Sequence, residues 1–209
     1  MSSSSTPTPA AQRPADYFSF LGLPRKLRID VNDLEQRYRA LSRQFHPDFF
    51  YNAGAAERRA SLERSSYLND AYRTLKNPTA RIEYLLKVEG VAAPRDGSPD
   101  AGRVAPPAGL LEEVFALNEE LDEIREMRNT GSTPAEWKAR LEQARRPIEA
   151  KRADHEAQLE ALSAKWDAAL DAFAPVGDRK AILESLRERF LERNYIGNLL
   201  GGIERELGG

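Results

Sequence analysis

Read only for apolar and polar positions, the chain shows helical stripes separated by short breaks, and no run of strand-like alternation. Asp16 to Leu23 is a short amphipathic stretch closed by Gly22 and Pro24. Asp30 is placed to cap the next helix, with Asp33 in its first turn, where a carboxylate is favoured. Leu34, Tyr38, Leu41 and Phe45 then recur at spacings of 4, 3 and 4, one apolar stripe of a helix that Pro47 must end. On that wheel Gln36, Arg39 and Arg43 fall opposite the stripe and Arg37 on its flank. A second long helix is predicted over about 55–75, with Leu68, Ala71, Tyr72 and Leu75 inward. Asn77-Pro78 restarts a third through Ile82, Leu85 and Leu86, with Gly90 as its stop.

After this first module, Ala92 to Ala108 is crowded with proline, glycine and small residues and has no periodicity, which reads as a linker. A helix over 110–128 follows, with Leu110, Val114, Leu117, Leu121 and Ile124 on one face. Thr133-Pro134-Ala135-Glu136 pairs a capping-box pattern with proline at the first helical position. The near-heptad series Trp137, Leu141, Ile148, Arg152, His155, Leu159, Leu162, Trp166, Ala169 and Phe173 continues from it, with a kink expected at Pro147. A last helix over 178–207 places Ile182, Leu186, Phe190, Leu200 and Leu207 inward. The expectation is an all-α protein: a tail over 1–13, a helical module over 14–91 built on an antiparallel hairpin, a linker over 92–108 and a three-helix bundle over 109–209.

Composition narrows the function. The 209 residues contain no cysteine and only two histidines, His46 and His155, which excludes disulfides, thiolate metal sites and cysteine nucleophiles and makes a His-rich metal site implausible. No cofactor is expected. The Ser/Thr/Pro-rich N-terminus has no apolar core of a secretory signal and reads as a disordered tail; no apolar run suits a membrane span, and a cytoplasmic setting is expected. Charge is split: residues 14–91 carry 13 Lys/Arg against 10 Asp/Glu, and residues 107–209 carry 15 against 21. That suggests two different partners, and the overall net of −2 argues against nucleic acid.

Between the two long helices of the first module lies Phe45-His46-Pro47-Asp48. Proline there fixes a tight turn at the tip of a helical hairpin, and the arginines add a positive face for an acidic partner. A His–Asp pair also suggests a general base, but an exposed tip with no nucleophile motif nearby argues against an enzyme. His155 falls on the apolar stripe and is expected to be a satisfied structural histidine.

The basic helix ending YRALSRQFHPD, the aromatic first stretch DYFSFLGL and the answering NDAYRTLKNP resemble a J-domain. One departure is Phe49, where J-domains often carry lysine. The continuation LKNPTARIEYLL, the Pro-rich gap and LLEEVFALNEELDEI look like the HscB family of J-proteins, in a form without the paired Cys-x-x-Cys segment some members carry. That resemblance implies a co-chaperone that stimulates ATP hydrolysis by a DnaK-type (HscA-like) chaperone while presenting an IscU-like iron–sulfur scaffold to it. It implies His46, Pro47 and Asp48, with Arg37, Arg39 and Arg43, as the chaperone-binding set. The bundle residues matching the family's scaffold-binding surface are Leu111, Glu112, Phe115, Ala116, Glu119, Glu123 and Tyr195. The wheel independently puts Phe115 about 140° from the core stripe among Glu112, Glu119 and Glu123, a plausible hot spot with an acidic rim; it puts Tyr195 and Leu199 opposite the stripe of the last helix. Two other readings use the same residues: a J-protein with a different client, and a helical adaptor in which the tripeptide is incidental.

Overall fold

The structure, a computed structural model, describes residues 16–50, 52–91 and 108–208. Its regular elements are α1 (Tyr17–Phe20), α2 (Val31–Phe45), α3 (Ala55–Lys76), α4 (Pro78–Val88), α5 (Leu111–Asn129), α6 (Pro134–Asp171) and α7 (Val176–Gly208), with 3-10 turns at Pro47–Phe50 and Ala108–Leu110. The expected tail over 1–13, and the expected linker over 92–108 apart from Ala108, lie outside the described residues. Among the described residues no helix is long and apolar enough to cross a membrane, and no group of His, Asp and Glu is placed to hold a metal ion. The chain divides into two compact units, 1–81 and 82–209, the division falling inside α4.

In the first unit the caps follow the sequence. Asp16 accepts the Ser19 N–H at 2.8 Å while Ser19 Oγ accepts the Asp16 N–H at 3.1 Å, a reciprocal pair that starts α1. Burial pushes the Asp16 carboxyl up, but the Ser19 N–H and the Arg25 guanidinium, 2.6 Å away, hold it below the usual carboxylate range. Asp30 accepts the Asn32 N–H at 2.8 Å and starts α2. α2 and α3 run antiparallel, since Phe45 meets Ser61 while Tyr38 meets Asn69. Between them Leu34, Leu68, Ala71 and Leu75 are buried, and Tyr38 stacks on Tyr72 with ring centroids 4.2 Å apart. Each buried leucine contributes about 1.5–3 kcal/mol.

Pro78 forces Asn77 into extended backbone, ends α3 and starts α4, with Asn77 Oδ1 accepting the Ala80 N–H at 3.1 Å. The buried Arg81 fastens this corner: its Nε donates to Leu75 O at 2.6 Å and its other nitrogens to the carbonyls of Leu27 and Lys76. Gly90, at φ 75°, closes α4, with Val91 N–H on Leu86 O at 2.8 Å and Gly90 N–H on Lys87 O at 3.2 Å.

In the second unit α6 and α7 form a long antiparallel pair, His155 facing Glu192 and Arg145 facing Glu204. α5 packs beside only one half of that pair. Its Glu113 meets Lys151, its Glu120 meets Arg140, and its Arg128 meets Glu206. There Leu110, Val114, Leu117 and Ile124 share a core with Trp137, Leu141, Ile148, Ile196, Leu200 and Ile203.

The inward positions of the long helices differ from the expected stripes. In α6 Trp137, Leu141, Ile148, His155, Leu159 and Trp166 are buried as expected, but Arg152 is exposed, Leu162 and Ala169 are half-buried, and Ser163 and Asp167 take inward places. A straight helix drifts about 20° per heptad, so a strict seven-residue series leaves the core over this length. Phe173 is 94% exposed because α6 ends at Asp171 and Phe173 turns the chain at φ 50°. In α7 Leu183 replaces Ile182 as the buried position, and Ile196 and Ile203 join Leu200. Tyr195 and Leu199, expected opposite the stripe, are half-buried against the core. Two neighbours flank that end of α7, and a single stripe cannot serve both.

Candidate functional site: the hairpin tip and the exposed face of the fifth helix

α2 stops because Pro47 offers no N–H and disfavours helical backbone before it; His46 is extended, at φ −61° and ψ 127°. The chain then turns tightly through Pro47–Phe50, with the Phe49 N–H donating to His46 O at 3.1 Å. His46 and Asp48 are both exposed. The Asp48 N–H donates to His46 Nδ1 at 3.3 Å, and the Asp48 carboxylate stands 3.4 Å from the same nitrogen. The tip presents an imidazole and a carboxylate side by side on an exposed turn, suited to gripping a polar partner. Phe49, 75% exposed, lies edge-on to the His46 ring at 6.2 Å.

The three arginines are used differently. Arg37 is bound inward: its Nε lies 2.9 Å from Asp33 Oδ2, and its Nη1 donates to Gly22 O at 2.7 Å and Leu21 O at 3.3 Å. Gly22 has φ 65°, which favours glycine, and a Cβ there would stand 3.0 Å from that Nη1 and press on the guanidinium. Arg39 is exposed and pairs with Glu35 at 2.5 Å; Arg43 is exposed and donates to Arg39 O at 3.3 Å. Arg39 and Arg43 thus remain on the outer face of α2, while Arg37 fastens α2 to the end of α1.

In the second unit α5 turns Phe115 outward, 70% exposed, on a helix whose Val114 and Leu117 are buried. Leu111, Glu112, Ala116, Glu119 and Glu123 are also exposed. Glu123, with Glu120, pairs with Arg140 of α6. The acidic rim is therefore partly neutralised from the α6 side. Tyr195 sits on α7, half-buried against the core that α5 shares; no ring contact joins it to Phe115 among the described residues. Ala116 also borders a groove of about 690 Å³ between α5 and α6, lined by Leu117, Met127, Ala144 and Pro147. The groove has no sequence signal beyond Pro147, whose pattern predicts only a kink.

His155 is 2% exposed and stands 3.3 Å from Glu192 Oε2, too poorly aligned for a hydrogen bond, so it is less satisfied than expected. Burial disfavours its imidazolium and outweighs the Glu192 charge, holding its pKa below the usual histidine value. The buried Glu192 is held by Arg189 at 2.6 Å. This is bundle chemistry rather than a ligand site.

Comparison with known proteins agrees with both halves. Residues 16–84 match the DnaJ domain. The co-chaperone protein HscB of Proteus mirabilis is 37% identical over 127 residues, 61% of this chain and 70% of that protein. Among solved structures, chaperone HscB from Vibrio cholerae superposes with a TM-score of 0.58 at 27% identity, over 91% of this chain and 96% of that one. Human co-chaperone protein HscB superposes at 0.59 and 26% identity, over 95% and 84%. A His-Pro-Asp tip with His46 and Asp48 exposed on a J-domain hairpin, followed by the helical unit these relatives share, places the chain in the HscB family of J-domain co-chaperones.

Proposed function

We propose that this co-chaperone serves iron–sulfur cluster assembly in the cytoplasm, stimulating the ATPase of an HscA-like, DnaK-type chaperone while presenting an IscU-like scaffold to it. The observation that carries the reading is the pairing of an exposed His46/Asp48 tip with an outward Phe115 among carboxylates on a second unit of the same chain. His46, Pro47 and Asp48, with Arg39 and Arg43 beside them, form the chaperone-facing set; Arg37 serves that set by fixing α2. Leu111, Glu112, Phe115, Ala116, Glu119 and Glu123 form the scaffold-facing set, and Tyr195 supports it from α7. An aromatic with an acidic margin suits an apolar patch ringed by basic groups. Domain limits of 14–91 and 109–209, joined by 92–108, complete the proposal.

Joining the two sets by one chain makes the second encounter effectively intramolecular, and the local concentration of scaffold at the chaperone reaches the order of millimolar for a short connection. The test is steady-state ATP hydrolysis by the chaperone with this protein alone and with scaffold added. Stimulation that rises further with scaffold is expected. Stimulation indifferent to scaffold would overturn the client, and no stimulation would overturn the chaperone.

A further inference from the structure

The carbonyl of Phe45 is the last of α2, and its helical partner is missing. The N–H four residues on belongs to Phe49, and it donates to His46 O instead. Ser61 of α3 supplies the donor: its Oγ lies 2.9 Å from Phe45 O, and the residue is 2% exposed. This is not what a serine inside a helix ordinarily does. Ser163 in α6 and Ser185 in α7 return their hydroxyls to the carbonyls four residues back, at 2.7 and 3.0 Å, within their own helices. Ser61 reaches across to the neighbouring helix, at the residue immediately before His46.

The Phe45 ring is held independently. It stacks on Phe20 with centroids 6.0 Å apart, and the Arg64 guanidinium lies 5.8 Å over it. Ring packing fixes where the side chain sits, but it leaves the peptide plane free to rotate. The Ser61 hydroxyl fixes that plane, and the direction in which the chain leaves α2 follows from it.

We propose that Ser61 is a positioning residue for the His46-Pro47-Asp48 tip: by capping the Phe45 carbonyl it holds the end of α2 in the arrangement from which the tip engages the chaperone. The proposal rests on the reading of that tip as chaperone-facing. Ser61 is buried and touches no partner itself, so its effect is on the fraction of molecules with a competent tip. Apparent affinity falls by that fraction, while the rate at saturation is untouched.

The test titrates the full chain and Ser61→Ala into the ATPase assay of the HscA-like chaperone, with Ser61→Thr, which keeps the hydroxyl, as the conservative variant. Hydrogen exchange at the Phe49 amide, whose bond to His46 O closes the tip, is followed in parallel. In Ser61→Ala the half-maximal concentration should rise about fivefold at an unchanged plateau, as when the competent fraction falls to about one fifth. Phe49 exchange, which follows the open rather than the competent fraction, should quicken by more than that factor, and Ser61→Thr should behave as wild type. A Ser61→Ala titration that superposes on wild type would overturn the proposal, as would a lowered plateau at an unchanged midpoint. Absence of stimulation by the wild-type chain would instead overturn the chaperone reading, and the Phe49 exchange would still report whether Ser61 fixes the tip.

Discussion

At the end of α2, three consecutive residues are held by proline, by a 3-10 turn and by a hydroxyl from the neighbouring helix. On α5, the residues facing outward are spread from Leu111 to Glu123 along one helix, with Glu123 paired to Arg140 of α6. On the proposed reading the first display works through the fixed relation of an imidazole and a carboxylate, so small changes there weigh heavily. On the same reading the second is a surface with one large anchor, Phe115, and a margin that can adjust. On the proposed reading the tip triggers one partner and the α5 face holds another, and substitutions separate them by the shape of the loss as well as its size.

The largest effect is expected at the tip. His46→Gln removes the imidazole geometry without burying or exposing anything, since His46 is already in water. Stimulation of the chaperone ATPase should fall to the basal rate, with the melting temperature and scaffold affinity unchanged; any stimulation near wild type would break the contrast. Next is a variant that damages the first unit without touching its display. Arg81→Met removes the guanidinium that serves the buried carbonyls of Leu75 and Leu27 and the part-buried one of Lys76, and should cost about 3 kcal/mol in a urea titration. A cost near zero would mean that water replaces the guanidinium.

Phe115→Ala should weaken scaffold binding by about 2 kcal/mol, roughly 30-fold, measured by calorimetry, and leave scaffold-free ATPase stimulation intact. Tyr195→Ala is the less clean probe, because Tyr195 also packs against the core.

Acid separates the units more gently. His155 titrates below the usual histidine value in the fold. Its unfolded form therefore binds the extra proton first, and stability is lost as pH falls through the unfolded value of about 6.5 toward the folded one. Urea midpoints of the second unit should drop between about pH 7 and pH 5.5, and His155→Leu should flatten that slope; an unchanged slope would assign the loss to other groups. The smallest effect is at the α6–α7 turn, where Phe173 occupies a left-handed position that glycine fills without strain. Phe173→Gly should stabilise the hairpin by about 1 kcal/mol, read as a raised melting temperature.

These contrasts also explain what was legible in the sequence. The tip was legible because its information is local: Asp30, Pro47 and Pro78 set helix limits through bonds to near neighbours, and they do so in the structure. The outward place of Phe115 was legible too, because α5 buries a single face of 19 residues, too short for drift to matter. What failed was long-range. Over the 38 residues of α6 a heptad series leaves the core and strands Arg152 in water. Tyr195 was turned outward on the wheel because nothing local shows that α5 lies beside only half of α7. Arg37 looks in sequence like part of a basic face, and only the fold reveals the Leu21 and Gly22 carbonyls waiting for it, sixteen and fifteen residues back. Arg81 gave no signal at all, since a buried arginine on three carbonyls looks in sequence like any surface arginine.

The central claim is that one chain holds scaffold and chaperone at the same time. It is tested most directly by mixing two full-length variants, His46→Gln and Phe115→Ala, with scaffold and chaperone and measuring ATP hydrolysis at steady state. One variant keeps the scaffold face and the other keeps the tip, but no molecule has both. The account predicts that the mixture gives no more stimulation than Phe115→Ala alone, and less than the intact chain at the same concentration. Recovery of the intact chain's scaffold-enhanced rate by the mixture would contradict it, because the two displays would then work without being joined.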